Sequence, residues 1–349
     1  MFAAHIILNS KRSLLFVGAF ILFYACKPEQ KQEAAVNFEG FVVPGGFPQP
    51  AYSFKENEVT EAGFQLGRKL FYEARLSVDG SMSCASCHHQ EAGFADPGKA
   101  FSIGVEGKPG LRNAPALVNL AWMPLFMADG GINHIEIMPF APITDSLEMN
   151  ADMFTVMAKI QQDEQYPNLF KKAFGSDSIT SGNLFKALTQ FMCMMISNNS
   201  RYDKFLAGEE SLSAEEQRGY TLFQLSCANC HSGPLLTDFS YRNIGLDVVS
   251  ADLGRGRITQ QEKDNGKFKV PTLRNVELTY PYMHDGRFTT LKEAVAHFNT
   301  GIKPAQNLDE SLQQPLNLSE EDVDDIIAFL KTLTDYEYIS NAGLSAPVE

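Results

Sequence analysis

Positive charge is scarce in this chain: 29 Lys and Arg stand against 42 Asp and Glu over 349 residues, a formal net charge of −13. A nucleic-acid surface needs clustered Lys and Arg to neutralise phosphates, so no nucleic-acid partner is expected. The acidic balance suits a basic redox partner, or a solvated acidic surface with no partner at all. Tryptophan occurs once, at Trp122, and strand signals are sparse. The apolar run from Ser13 to Tyr24 is shorter than the about 20 residues a membrane-spanning helix needs. With 44% hydrophobic and 20% charged residues the composition is that of an ordinary globular protein with a real core. The length accommodates one large domain or two of ordinary size, and two is the expectation.

What is present begins with a targeting segment. Lys11 and Arg12 precede the apolar run and Ala25-Cys26 follow it, which outlines a signal peptide over residues 1–26. The stretch Leu22 to Cys26 also has the outline of a lipoprotein cleavage site, with its leucine one place further from the cysteine than usual; simple secretion is the alternative. The expected location is therefore the periplasm or cell envelope, with an N-terminal lipid anchor as the only membrane contact. Residues 27–52, rich in Gln, Glu, Gly and Pro, read as a tether without a packed core.

Cysteine spacing carries the chemistry. Apart from Cys26, four of the remaining five cysteines fall in two copies of one pattern, Cys84-Ala-Ser-Cys87-His88 and Cys227-Ala-Asn-Cys230-His231. C-x-x-C-H is the attachment signature of c-type haem. Two thiols add across the vinyl groups, and the histidine after the second cysteine, His88 or His231, reaches back to ligate iron from the proximal side. A redox disulfide or half a zinc site would also use a Cys-x-x-Cys pair, but a histidine at the same offset in both copies favours haem. Two covalently bound haems c are expected. Cys193 is left over and reads as an inert core thiol.

The two motifs sit in matching contexts, which indicates a duplication. Gly67 to Phe71 precedes the first and Gly219 to Phe223 the second, both on helical-looking segments. Each cytochrome also needs a closing helix, for which Leu184 to Phe205 and Glu320 to Leu333 are the candidates. In the latter Val323, Ile326, Ile327, Leu330 and Leu333 recur at helical spacing. Residues 92–115 and 232–270, rich in Gly, Pro and Asp, read as long loops around flat cofactors. The expected fold is all-α, two cytochrome c-like haem domains in tandem with long loops, over residues 53–206 and 207–340.

Beyond the haem motifs the chain resembles the bacterial dihaem cytochrome c peroxidases and the related MauG proteins. The likeness lies in Cys84 to His88, Arg112-Asn-Ala-Pro115 with Asn119, Asp129-Gly130, Pro142-Ile143, Glu148-Met149, Phe268 to Asn275 and Tyr280 to Gly286. The resemblance implies that the N-terminal haem binds hydrogen peroxide. The C-terminal haem then takes electrons from a small cytochrome c or cupredoxin. It also implies a calcium ion held by the Asn113 side chain and the carbonyls of Thr279 and Pro281, oxygen donors that suit a hard cation; a loop cap is the alternative for Asn113. The family's catalytic carboxylate falls near Ile135 to Pro139, where Glu136 is the only acid, although it sits one place off in an ungapped match. A surface glutamate without a role is the alternative. His134 beside it could assist, or be structural, and His89 reads as structural. A homodimer is one candidate assembly.

Three departures from the family pattern bear on mechanism. Val105 stands where many family peroxidases place a removable distal histidine, and valine cannot bind iron. Ala128 stands where a tryptophan often lies between the haems. Phe298 stands where the second haem's distal methionine, or the tyrosine of MauG-like proteins, is found. His297, Met283 and an open or water-bound site are the candidates for that position, and His284 reads as a haem propionate partner. Beside peroxidase activity, two further functions fit: a MauG-like oxidation of a protein or organic substrate, and a pure electron carrier, against which Val105 and the length of the chain speak.

Overall fold

Two crossed helix pairs, built by the same local rule, organise the chain. In the computed structural model, which describes Met1 and residues 38–348, helix α1 (Glu61–Phe71) starts at Thr60, whose side chain accepts the Gly63 N–H. Short α2 (Phe140–Thr144), α3 (Met153–Gln161) and α4 (Tyr166–Phe174) follow, then α5 (Ser181–Cys193) and α6 (Arg201–Leu206). Helix α7 (Ala214–Ser226) opens on a capping box between Ser213 and Glu216. After it come β1 (Tyr241–Arg242), α8 (Arg255–Thr259), β2 (Phe268–Lys269), α9 (Leu291–Ala296), α10 (Glu320–Lys331) and α11 (Tyr336–Ser340). The two strands are two residues long and pair antiparallel, so the fold is all-α, two cytochrome c-like domains in tandem.

Helix α1 crosses α5 where Gly67 meets the backbone carbonyl of Ala187, and a Cβ there would also sit 2.9 Å from that of Phe191. Helix α7 crosses α10 in the same way, Gly219 meeting the carbonyl of Asp325 and a Cβ falling 3.0 Å from that of Phe329. One turn on, Phe71 packs on Phe191 at 5.2 Å and Phe223 on Phe329 at 5.0 Å. The glycines let the backbones touch, and the aromatic pair fills the angle they leave. The duplication inferred from sequence is thus visible as one crossing made twice.

Several segments depart from the sequence reading. The candidate closing helix from Leu184 to Phe205 is two helices, α5 and α6, separated by 194–200. That connection is fixed by the buried Asp335, whose carboxylate accepts from the Ser197 hydroxyl at 3.0 Å and from the Asn198 and Asn199 N–H groups at 2.9 Å. Asn119 and Asn275 complete this network on Ser197. Residues 38–52, read as part of a tether, lay Phe38, Phe41, Phe47 and Tyr52 against the first core, because their aromatic side chains outweigh the Gly and Pro between them. The signal peptide, Cys26 and residues 27–37 lie outside the described residues. The carboxyl-terminal segment returns to the first half: Tyr338 and Leu344 join its core, and Arg68 donates to the carbonyls of Ser345 (2.6 Å) and Ala342 (2.9 Å). Among the described residues no helix is long and apolar enough to cross a membrane.

Candidate functional site

Each Cys-x-x-Cys-His segment closes a tight turn, with the His88 N–H on the Cys84 carbonyl and the His231 N–H on the Cys227 carbonyl, both at 3.0 Å. The following loop folds back over the imidazole. His88 Nδ1 donates to the carbonyl of Phe94 at 2.8 Å, and His231 Nδ1 to that of Leu236 at 3.2 Å. Phe94 and Leu236 both adopt left-handed backbone, φ +59° and +51°, a conformation that non-glycine residues hold only where their surroundings enforce it. With the proton fixed on Nδ1, Nε2 keeps its lone pair for a metal. Burial lowers the pKa of both histidines, favouring the neutral form that coordinates iron. Burial pushes the Cys84 and Cys227 thiols up to about 12 and raises those of Cys87 and Cys230. Such apolar thiols beside a neutral imidazole fit a covalently attached haem in each half.

The side of the first site expected to be distal is marked by Val105. It is 2% exposed, and its N–H donates to the carbonyl of Glu148 at 2.9 Å. Gly104 before it lies so close to the backbone of Leu147 and Glu148 that no Cβ fits. The Glu148 carboxyl is raised to about 7, by burial first and by Asp145 second. Its charge is felt by the Cys84 and Cys87 thiols. A group that titrates near neutrality beside the haem-attachment thiols can both take and give a proton. In the sequence Glu148 is one member of a matching stretch, and that membership is the signal that points to it.

Glu136 is placed differently. Its carboxylate accepts the Tyr52 hydroxyl at 2.5 Å, and the thiol that feels its charge is Cys193, buried in α5. Exposed His134 caps the same turn, its Nδ1 accepting the Glu136 N–H at 3.3 Å. His89 stands 3.5 Å from Asp96 and 3.8 Å from Glu91.

His297, a candidate ligand for the second haem, opens a π-helical turn, His297–Gly301, and its Nε2 donates to the Ile244 carbonyl at 2.9 Å. That bond engages the nitrogen an iron would need. Met283 is half-buried with φ +73°, and Phe298 packs its ring on His297 at 5.2 Å. His284 lies flat on Phe268, ring centroids 3.8 Å apart, and the Arg112 guanidinium sits 5.5 Å from the same ring.

The matching stretches meet between the halves. Buried Asp129 accepts from Arg112 at 2.7 Å and Arg257 at 3.3 Å, while Arg112 also grips Asp252 through two bonds of 2.6 and 2.9 Å. The Lys269 N–H donates to the Ala128 carbonyl and its ammonium to that of Leu125, both bonds joining the halves; burial lowers this amine to about 8. The Asn113 amide donates to the carbonyls of Lys99 (3.0 Å) and Ala100 (3.3 Å), which orients its oxygen away from them. Among the described residues no hydrogen bond is seen to that oxygen or to the Thr279 and Pro281 carbonyls, so all three proposed calcium donors keep their lone pairs.

A family profile described as di-haem cytochrome c peroxidase matches residues 61–211, and one described as cytochrome c matches 216–334. The chain is 34% identical to the methylamine utilization protein MauG of Methylophilus methylotrophus, over 84% of this chain and 88% of that protein. It is 36% identical to the cytochrome c551 peroxidase of Nitrosomonas europaea, over 77% of this chain and 79% of that one. Its structure superposes with a TM-score of 0.82 on a MauG-like protein associated with microbial copper homeostasis, at 32% identity, covering 90% of this chain and 99% of the other.

Proposed function

The chain belongs to the di-haem cytochrome c peroxidase and MauG family, and we propose that within it the protein reduces hydrogen peroxide to water with electrons from a small cytochrome c or cupredoxin. The observation that carries this reading is the place of Glu148: its main-chain carbonyl accepts from the N–H of Val105, a residue that cannot bind a metal, and burial raises its carboxyl to about 7. The haems, one per half, would supply an iron site for peroxide and a store for electrons. His88 and His231 would hold them through Nε2, their orientation set by the Phe94 and Leu236 carbonyls on Nδ1. Glu148 takes a proton from one peroxide oxygen and returns it to the other, which leaves as water; two further protons and two electrons turn the remaining oxygen into the second water. Asn113, Thr279 and Pro281 would hold calcium at the junction of the halves. The N-terminal segment would export and anchor the chain in the periplasm.

The test is peroxide consumption by the holoprotein with a reduced small cytochrome or cupredoxin. Two donor molecules oxidised per peroxide support the reading, and no donor oxidation contradicts it. The likeness to MauG and Phe298 favour a second reading, oxidation of a protein or organic substrate; peroxide consumption that needs such a substrate, and no donor, would select it.

A further inference from the structure

Glu136, left aside by the peroxide site, has a partner of its own. Tyr52 is 8% exposed, and its hydroxyl donates to the Glu136 carboxylate at 2.5 Å while accepting the Asn57 amide at 3.1 Å. Asn57 is in turn held by Gln190 at 2.8 Å and by the Lys186 carbonyl at 3.1 Å, so its amide points at the phenol in a fixed orientation. Tyr52 also starts a ladder of rings. Phe54 lies 4.8 Å from it, Phe41 4.2 Å from Phe54, and Trp122, the only tryptophan, 5.6 Å from Phe41. Cys84 and Cys87 pack against the same core as Tyr52.

We propose that Tyr52 is a redox-active tyrosine, oxidised by the first haem after its reaction with peroxide, with Glu136 as the acceptor of its proton. The inference rests on the proposed reaction with peroxide. One electron leaves the phenol for the peroxide-oxidised haem, which is reduced by one equivalent. The O–H bond breaks and the proton crosses to the Glu136 carboxylate, forming a carboxylic acid and leaving a neutral phenoxyl radical. An electron returning from the donor protein, with the same proton, restores the phenol. The coupling follows from burial. A phenol oxidised without losing its proton would leave a cation in an apolar core, and burial together with Glu136 already opposes release of that proton to solvent. Asn57 then donates to the radical oxygen, and the ring ladder to Trp122 offers the hole a second oxidisable side chain. Oxidising equivalents that find no donor are thereby held on Tyr52 and not on the haem.

The experiment mixes all-ferric holoprotein with hydrogen peroxide, follows the haem absorption, and freeze-quenches samples for spin resonance. The expected result is a neutral tyrosyl signal that disappears in Tyr52→Phe while the initial haem change keeps its rate. In Glu136→Gln the signal forms about a hundredfold more slowly, because the amide cannot take the proton. A haem that reacts without any tyrosyl signal, or a signal unchanged in Tyr52→Phe, overturns the inference and leaves the peroxidase reading standing. A first haem whose absorption ignores peroxide overturns both.

Discussion

The two halves hold His88 and His231 alike and differ in the residues expected on the distal side of each site. In both, a glycine crossing packs the motif helix, a Cys-x-x-Cys-His turn follows, and a left-handed residue turns its carbonyl onto Nδ1. Past the imidazole the likeness ends. The first half offers Val105 and a carboxyl near neutrality, Glu148. The second offers a π-turn in which His297 is spent on a backbone carbonyl and Phe298 covers it. A duplicated scaffold thus differs between its halves in residues that the haem motif does not contain, and the proposed division of labour would rest on them.

Removing a proximal ligand breaks that comparison most severely. His231→Ala should abolish turnover with a reduced donor while the first half of the oxidised protein still reacts with peroxide; normal donor turnover in this variant would mean the roles are reversed. Next in size, Glu148→Gln should slow the peroxide reaction by about 10²–10⁴-fold at neutral pH. The sign of the pH effect follows from the raised carboxyl: its basic form is populated only above about 7, so the wild-type rate rises through that value, and the variant should lose the rise. A Glu136→Gln rate that falls as far as that of Glu148→Gln would return the catalytic role to Glu136. Val105→His should slow peroxide binding in the oxidised state and introduce a requirement for prior reduction, checked by comparing oxidised and half-reduced protein.

The smallest expected effects test the shared part. Gly67→Ala and Gly219→Ala each place a methyl group against a backbone carbonyl, and should destabilise the protein to chemical denaturation by about 1–3 kcal/mol. Unequal losses would show that the crossings are not equivalent.

Much of this was legible in the sequence because covalent haem attachment demands fixed spacing. Cys84 to His88 and Cys227 to His231 name their own cofactor, and Gly67 and Gly219 name the crossing. The distal residues are not marked in that way. Glu148 lies some sixty residues from His88 in the chain, and only the fold sets it beside Val105 and raises its carboxyl. Glu136, the only acid in its segment, is the catalytic candidate by position, and only the fold pairs its side chain with Tyr52, a residue that a composition rich in Gln, Gly and Pro places in a tether. The split between α5 and α6 was hidden for a similar reason, since Asp335, which fixes the break, comes from the far end of the chain.

Stopped-flow mixing of the fully oxidised protein with hydrogen peroxide tests the claim of an open first site most directly. With valine at 105 and Glu148 beside it, the first haem should be high-spin before mixing and should change its absorption at once, with no reductant present. A low-spin first haem that ignores peroxide until one electron has been added would show that another side chain reaches the iron, and that the difference between the halves does not lie where the structure puts it.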